Sequence, residues 1–282
     1  MRPVAAMWIK DGVLVNRMHV NSVAFALSYW VFTSPEKKRN ITLESLINFG
    51  FAKSGFSCAE KMRFFNTKCC DALKDVETAA NFYNVLATEA AKSCTYFDGA
   101  IQLLQDLHAA GAKNFITSAV EQAVLDAWAT SLQGALITPY LVEILGKRSN
   151  FFKGPNHFEH VANHINGGPI YYIADAVSEI STAQEHSHKY NIVPIGFGYV
   201  VEHQQIMDAV ELVQTVLSAC ANSKVPYPNI DRGIDRELLL LPGNVQIEEL
   251  LRSAGAQYIA TGGSSKIMSN LRRYFERSLF FE

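Results

Sequence analysis

The sequence predicts an α/β protein: a mostly parallel sheet covered by helices, interrupted by an inserted helical segment. Three observations carry this reading. Short apolar, strand-like runs alternate with helix-like stretches near the start of the chain and again beyond residue 96. Residues 17–95 lack such runs and show helical periodicity instead. The 282 residues are 49% hydrophobic and 18% charged, which supplies apolar material for a large core and excludes disorder as the main state.

The elements follow in order. VAAMWI (4–9) is a short apolar run followed by Asp-Gly, the pattern of a buried strand ending in a turn. Helical stretches are expected around 20–32, 42–51, 57–74 and 76–92, punctuated by Ser, Thr, Asn or Gly, and together they make an insertion of about eighty residues. Beyond Tyr96, Asp98 is placed to cap a helix in which Ile101, Leu104, Leu107 and Ala110 recur at helical spacing and which stops at Gly111. A strand NFIT (114–117), a helix over 121–132 and a helix from Asn156 to 165 come next. A strand PIYYIA (169–174), a helix over 177–189 and a strand IVPIGF (192–197) continue the alternation. A helix at 203–220 leads into the turn-rich VPYPNIDRG. The tail carries a helix at 245–253, a strand QYIAT (257–261) and a helix from 264. On this reading 1–16 and 96–282 form the sheet domain, with 200–244 as extra length within it, and 17–95 form the inserted domain.

Charge narrows the function classes. Twenty-five basic against 27 acidic side chains give a net charge of −2, so no electrostatic case exists for a nucleic-acid or anionic-membrane partner. No run reaches the roughly 18 apolar residues of a spanning helix, and MRPVAAMWIKDG does not fit a signal peptide. Five cysteines, at 58, 69, 70, 94 and 220, form an odd set without metal-like spacing, which points to a reduced, cytoplasmic protein. The vicinal pair Cys69-Cys70 is compatible with a redox-active dithiol but reads better as two buried small hydrophobes in a helix.

In an open parallel sheet, ligands bind beyond the carboxyl ends of the strands. The first strand delivers Asp11 with Gly12, the second delivers Thr117 and Ser118, and the strand ending at Ala174 delivers Asp175, with Glu179 one helical turn later. Lys153 precedes a helix in FFKGPNHFEHV. Taken singly, Asp11-Gly12 is a turn, Thr117-Ser118 and Asp175 are helix caps, and Lys153 is a solvated lysine. Their joint order places a hydroxyl, an ammonium and two or three carboxylates at one end of the sheet. The eight histidines, His157, His160, His164, His186 and His188 among them, fall mostly on helices and read as solvated or capping side chains.

The string DGVLVNRMHVNSVAFALSYW resembles the first motif and first cap helix of haloacid dehalogenase-like (HAD) hydrolases, in the phosphoglycolate phosphatase and β-phosphoglucomutase branch. FDGAIQLLQDLHAAGAKNFITSAV is similar to the family's second motif, FFKGPNHFEHVANHI to the third and YYIADAVSEISTAQEH to the fourth. AGAQYIATGGSSKIMSNL is similar to its last strand and helix. The resemblance implies a Rossmann-like core with an α-helical cap formed by residues 17–95. It also implies attack on a phosphoryl group by the first aspartate of Asp-x-Asp-Gly, with the second, here Asp11, as acid. Thr117, with Ser118, and Lys153 would hold the phosphoryl oxygens. Mg²⁺ would be held by the first aspartate, by the backbone carbonyl of Asp11 and by Asp175, with Glu179 at the place of the motif's second acid.

The first aspartate is absent. Its position is Ile9, which has no lone pair for attack and removes a carboxylate from the metal's shell, so Mg²⁺ binding is weakened. If Asp11 were the nucleophile instead, the acid position would fall on Val13, and Gly12 and Leu14 would lose their match. A substitute nucleophile at Thr117 or Ser118 needs an adjacent base, and the sequence shows none. Three functions follow as expectations. The first is a phosphatase-dead pseudoenzyme that binds a phosphorylated small molecule or a protein. The second is an active hydrolase with a non-standard nucleophile. The third is a structural subunit whose apolar cap and LLLLPG segment make an interface, a homo-oligomer included.

Overall fold

The computed structural model describes residues 3–39, 41–68, 73–221 and 245–279. In chain order its elements begin with β1 (Ala5–Ile9), α1 (Met18–Phe32), α2 (Pro35–Lys38), α3 (Leu43–Ala52), α4 (Cys58–Lys68) and α5 (Val76–Ala91). They continue with α6 (Ala100–Ala109), β2 (Lys113–Glu121), α7 (Gln122–Ala129), α8 (Leu132–Ala135), β3 (Leu141–Lys147), α9 (Pro155–His164) and β4 (Ile170–Ala174). Then come α10 (Val177–Glu185), α11 (Ser187–Tyr190), β5 (Ile192–Tyr199), α12 (His203–Ala221), α13 (Val245–Ser253), β6 (Tyr258–Gly262) and α14 (Ile267–Leu279). The chain divides into two compact units, one drawn from 1–16, 95–200 and 245–282 and the other from 17–94 and 201–244.

The first unit is a six-stranded sheet in the order β3-β2-β1-β4-β5-β6, and every neighbouring pair is parallel. This is the α/β, Rossmann-like class that the alternation predicts. β1 lies between β2 and β4, and all five of its residues are buried. Trp8, Phe115, Tyr172, Phe197 and Phe275 are among the largest fully buried side chains. The buried indole of Trp8 donates to Asn114 Oδ1 at 3.2 Å, and the Asn114 amide donates to the carbonyls of Leu104 and Tyr140, each at 3.1 Å. The polar atoms in this layer are thereby satisfied, and removing one partner would strand the other at a cost of about 1–3 kcal/mol. Where the inserted segment departs and returns, Asn16 N–H donates to the Thr95 carbonyl at 2.9 Å and Phe97 N–H to the Leu14 carbonyl at 3.0 Å.

The second unit is helical. α1 is buried on nearly every side, as expected of a helix apolar all round. Phe25, Phe49, Tyr29 and Phe65 form a ring cluster, with centroids 5.9 Å apart for Phe25–Phe49, 4.9 Å for Phe49–Phe65 and 5.0 Å for Tyr29–Phe65. Residues 201–221 belong here, whereas sequence reasoning assigns 200–244 to the sheet domain. The physical reason is the apolar face of α12: Ile206, Ala209, Val210, Val213 and Leu217 are buried, and the helix packs on α1 and α5.

Three local expectations are corrected. Asp98 does not cap α6; the cap is Gly99 in a left-handed conformation (φ 83°), without a side-chain hydrogen bond. The helix expected over 177–189 breaks at His186, where the His186 ring meets the Thr182 carbonyl at 2.9 Å and Ser187 Oγ donates to the Gln184 carbonyl at 2.7 Å. These side chains compete with the backbone ladder. β3 is not anticipated by the sequence pattern, because LVEILGK lies at the sheet edge and its burial is mixed. The Cys69-Cys70 pair and the LLLLPG stretch lie outside the described residues. Among the described residues no helix is long and apolar enough to cross a membrane.

Candidate functional site

The site residues expected from the sequence all fall in the sheet unit: Asp11 just beyond β1, Thr117 and Ser118 within β2 where its pairing with β1 ends, Asp175 just beyond β4, Lys153 just before α9 and Glu179 in the first turn of α10. Beyond Ile9 the chain turns tightly. Gly12 N–H donates to the Val15 carbonyl at 2.9 Å, and Val15 N–H donates to the Lys10 carbonyl at 2.8 Å. Gly12 holds φ 98°, a conformation that costs any residue with a Cβ. The turn fixes Asp11 at the strand end. Its carboxylate lies 3.3 Å from Lys10 Nζ, and the Lys10 side chain is 10% exposed. The same ammonium stands 4.8 Å from the Trp128 ring centroid, a second favourable contact for a partly desolvated cation.

Ile9 is 5% exposed and pairs in register with Thr117. A hydrocarbon thus occupies the last position of the central strand, beside a hydroxyl. Thr117 is fully buried, and its Oγ1 is 2.7 Å from Nδ1 of His157, which is also fully buried. Burial pushes His157 down to about 4, against a smaller opposing pull from the Gly146 carbonyl. The imidazole is therefore neutral near pH 7 and has one nitrogen able to accept a proton. Sequence reasoning makes His157 solvated or capping and sees no base beside Thr117; the structure corrects both points. Ser118 is buried, and its hydroxyl accepts from the Val120 N–H at 3.2 Å.

Lys153 and Glu179 are brought together: Nζ pairs with Oε1, and the two side chains are 15% and 12% exposed. The other Glu179 oxygen is buried and finds no hydrogen-bond partner among the described residues. Asp175 is buried at the end of β4. Its carboxylate and that of Glu179 add to burial in pushing the Tyr172 hydroxyl well above the ordinary tyrosine range. The arrangement therefore combines two ammoniums, three carboxylates and a hydroxyl–imidazole pair with no carboxylate at position 9. Lys10, Trp128 and His157 are not found by sequence reasoning. Lys10 is adjacent to Asp11 and carries a readable charge, whereas nothing local marks Trp128 or the inward-facing His157.

No family model matches the sequence, and no curated protein matches it. Solved structures do match the fold. A HAD-family hydrolase from Deinococcus radiodurans R1, with bound phosphate and sodium, superposes with a TM-score of 0.59 at 15% identity, covering 98% of this chain and 96% of that one. A predicted phosphatase from Clostridium acetobutylicum gives 0.55 at 16% identity, covering 98% and 99%. A β-phosphoglucomutase-like protein from Thermotoga maritima gives 0.52 at 12% identity, covering 96% and 99%. With its parallel six-stranded sheet and these structural neighbours, the chain has the fold of the HAD-family hydrolases.

Proposed function

We propose that this chain is a cytoplasmic HAD-fold pseudoenzyme that binds a phosphorylated small molecule without forming an aspartyl-phosphate. The carrying observation is Ile9, buried at the end of the central strand and in register with Thr117. Attack on phosphorus needs a lone pair at that position, and an alkyl group has none. The Mg²⁺ that the fold family implies does not fit this donor set well. The Ile9 side chain contributes no oxygen and one oxygen of Glu179 is taken by Lys153, so the ion loses carboxylate donors that the family's set provides and its hold is weakened. The change also alters charge: two ammoniums against three carboxylates leave one negative charge, where an aspartate at position 9 would leave two. Less repulsion then opposes a phosphate dianion in the absence of metal. Phosphate bound to the Deinococcus neighbour supports phosphate as the recognised group.

A second reading, an active hydrolase with a non-standard nucleophile, is favoured by the Thr117–His157 pair. In it Thr117 Oγ would bond to phosphorus as its proton passes to His157 Nδ1, and the leaving oxygen would depart with the proton of Asp11. The complete burial of Thr117 argues against it.

The test is a phosphomonoester panel on the wild type, Ile9→Asp and Thr117→Val, with phosphoprotein mass spectrometry. Pseudoenzyme function predicts no turnover by the wild type, thermal stabilisation by phosphate or sugar phosphates with little added by Mg²⁺, and Mg²⁺-dependent turnover only in Ile9→Asp. Wild-type turnover lost in Thr117→Val, with phosphate trapped on Thr117, would establish the second reading instead.

A further inference from the structure

Outside the strand-end cluster, one group of side chains among the described residues is arranged as ligands. Glu143 on β3 and His160 and His164 on α9 place one carboxylate oxygen and two ring nitrogens within 4.8 Å of one another. The two histidines are spaced i, i+4, so they lie on one helix face, and their ring centroids are 5.0 Å apart. His160 Nε2 is 2.7 Å from Glu143 Oε2. The other Glu143 oxygen is within ion-pair distance of Arg148 Nη2, at 3.7 Å. Aromatic rings flank the group: Phe151 meets the His160 ring edge-on at 5.7 Å, and Phe115 meets the His164 ring at 5.6 Å.

We propose that Glu143, His160 and His164 form a Zn²⁺ site that ties α9 to edge strand β3. Two imidazoles and one carboxylate are a donor set of the kind zinc accepts, and neutral nitrogen ligands favour Zn²⁺ over Mg²⁺. Zinc bonds of roughly 2.0–2.2 Å put tetrahedral ligand atoms about 3.3–3.5 Å apart. The His160–Glu143 contact therefore opens by under about 1 Å, and His164 moves in through its side-chain torsions. His164 is exposed and His160 half-buried, so an ion can enter from solvent, and a water completes the shell. Arg148, at ion-pair distance from the Glu143 carboxylate, adds an electrostatic partner outside the ligand set. The site does not depend on the phosphate-binding reading. His157 lies one helical turn before His160 on α9, so an ion here would brace the helix that carries the Thr117 contact.

The experiment is a Zn²⁺ titration of the chelator-stripped full chain by calorimetry and native mass spectrometry, with the Co²⁺ form examined by visible absorption. Expected are one ion per chain, a rise in Tm with Zn²⁺ but not with Mg²⁺, and Co²⁺ ligand-field bands without thiolate charge transfer. His160→Ala and Glu143→Gln should each weaken binding at least ~10-fold, and the His160→Ala/His164→Ala double variant should abolish it. Equal binding by the double variant, non-saturable binding, or a thiolate band showing that cysteines hold the ion would overturn the proposal. The Co²⁺ spectrum of the wild type keeps the test decisive should a variant fold poorly.

Discussion

Thr117 Oγ1 sits 2.7 Å from Nδ1 of His157, and both side chains are fully buried. A buried pair of this kind is worth most when one member is removed, because the survivor keeps its desolvation cost without a partner. Thr117→Val, close in shape, should lose about 1–3 kcal/mol in urea unfolding, and Thr117→Ser should stay near the wild type. Equal losses in both would show that the hydroxyl is not the stabilising feature.

The same histidine makes stability depend on pH. Its folded value is lowered from 6.5 to about 4 by burial, so between those values the unfolded chain binds a proton that the folded chain does not. Unfolding is then favoured as pH falls, with this contribution complete above 6.5, diminishing from 6.5 to about 4, and fully lost below that. The full loss is on the order of 3 kcal/mol, because each tenfold difference in proton affinity between the folded and unfolded chain is worth about 1.4 kcal/mol. His19 in the helical unit is likewise lowered by burial to about 4, with Asp208 pulling the other way, and adds acid sensitivity in the same window. Unfolding free energies at pH 7 and pH 4.5 measure the sum; His157→Asn should reduce the slope, and an unchanged slope would remove His157 from the account.

Lys153 and Glu179 pair with side chains 15% and 12% exposed. Breaking such a pair from one side leaves a poorly solvated charge, so Lys153→Met or Glu179→Gln should each cost about 2–4 kcal/mol, and the double variant less than their sum. A double-mutant cycle in chemical denaturation gives the coupling directly. Additive losses would mean that the two charges do not support one another.

Gly12 carries φ 98° in the turn that holds Asp11. Gly12→Ala should cost about 1–2 kcal/mol by strain alone and weaken any phosphate-dependent rise in Tm, since Asp11 would shift with the turn. Thermal melts with and without phosphate read both effects.

The interior of the sheet is legible in the sequence because parallel strands covered on both faces read as continuous apolar runs, as in AAMWI, IYYIA and IVPIGF. Edge strand β3 is not legible, because Glu143 and Lys147 interrupt its apolar pattern. Asp11, Thr117, Ser118, Lys153, Asp175 and Glu179 can be placed because each follows a recognisable strand or opens a helix. His157 cannot be: period shows that a helix has a buried face, but not that an imidazole on that face will meet a hydroxyl forty residues away in sequence. α12 escapes for a related reason. Its amphipathic period is plain, while the partner for its apolar face is a matter of tertiary choice.

The hydrogen bonds from Asn16 to Thr95 and from Phe97 to Leu14 close the neck of the insertion. During synthesis β1 must wait for β2, since Ala5 pairs with Lys113, and an open chain of that length closes slowly. If residues 17–94 collapse first, that delay shrinks, because their two ends then emerge side by side and the effective loop is only a few residues long. A short turn grafted from 16 to 95 would impose the same shortcut covalently, making the insertion's contribution to the order of assembly a question for refolding kinetics.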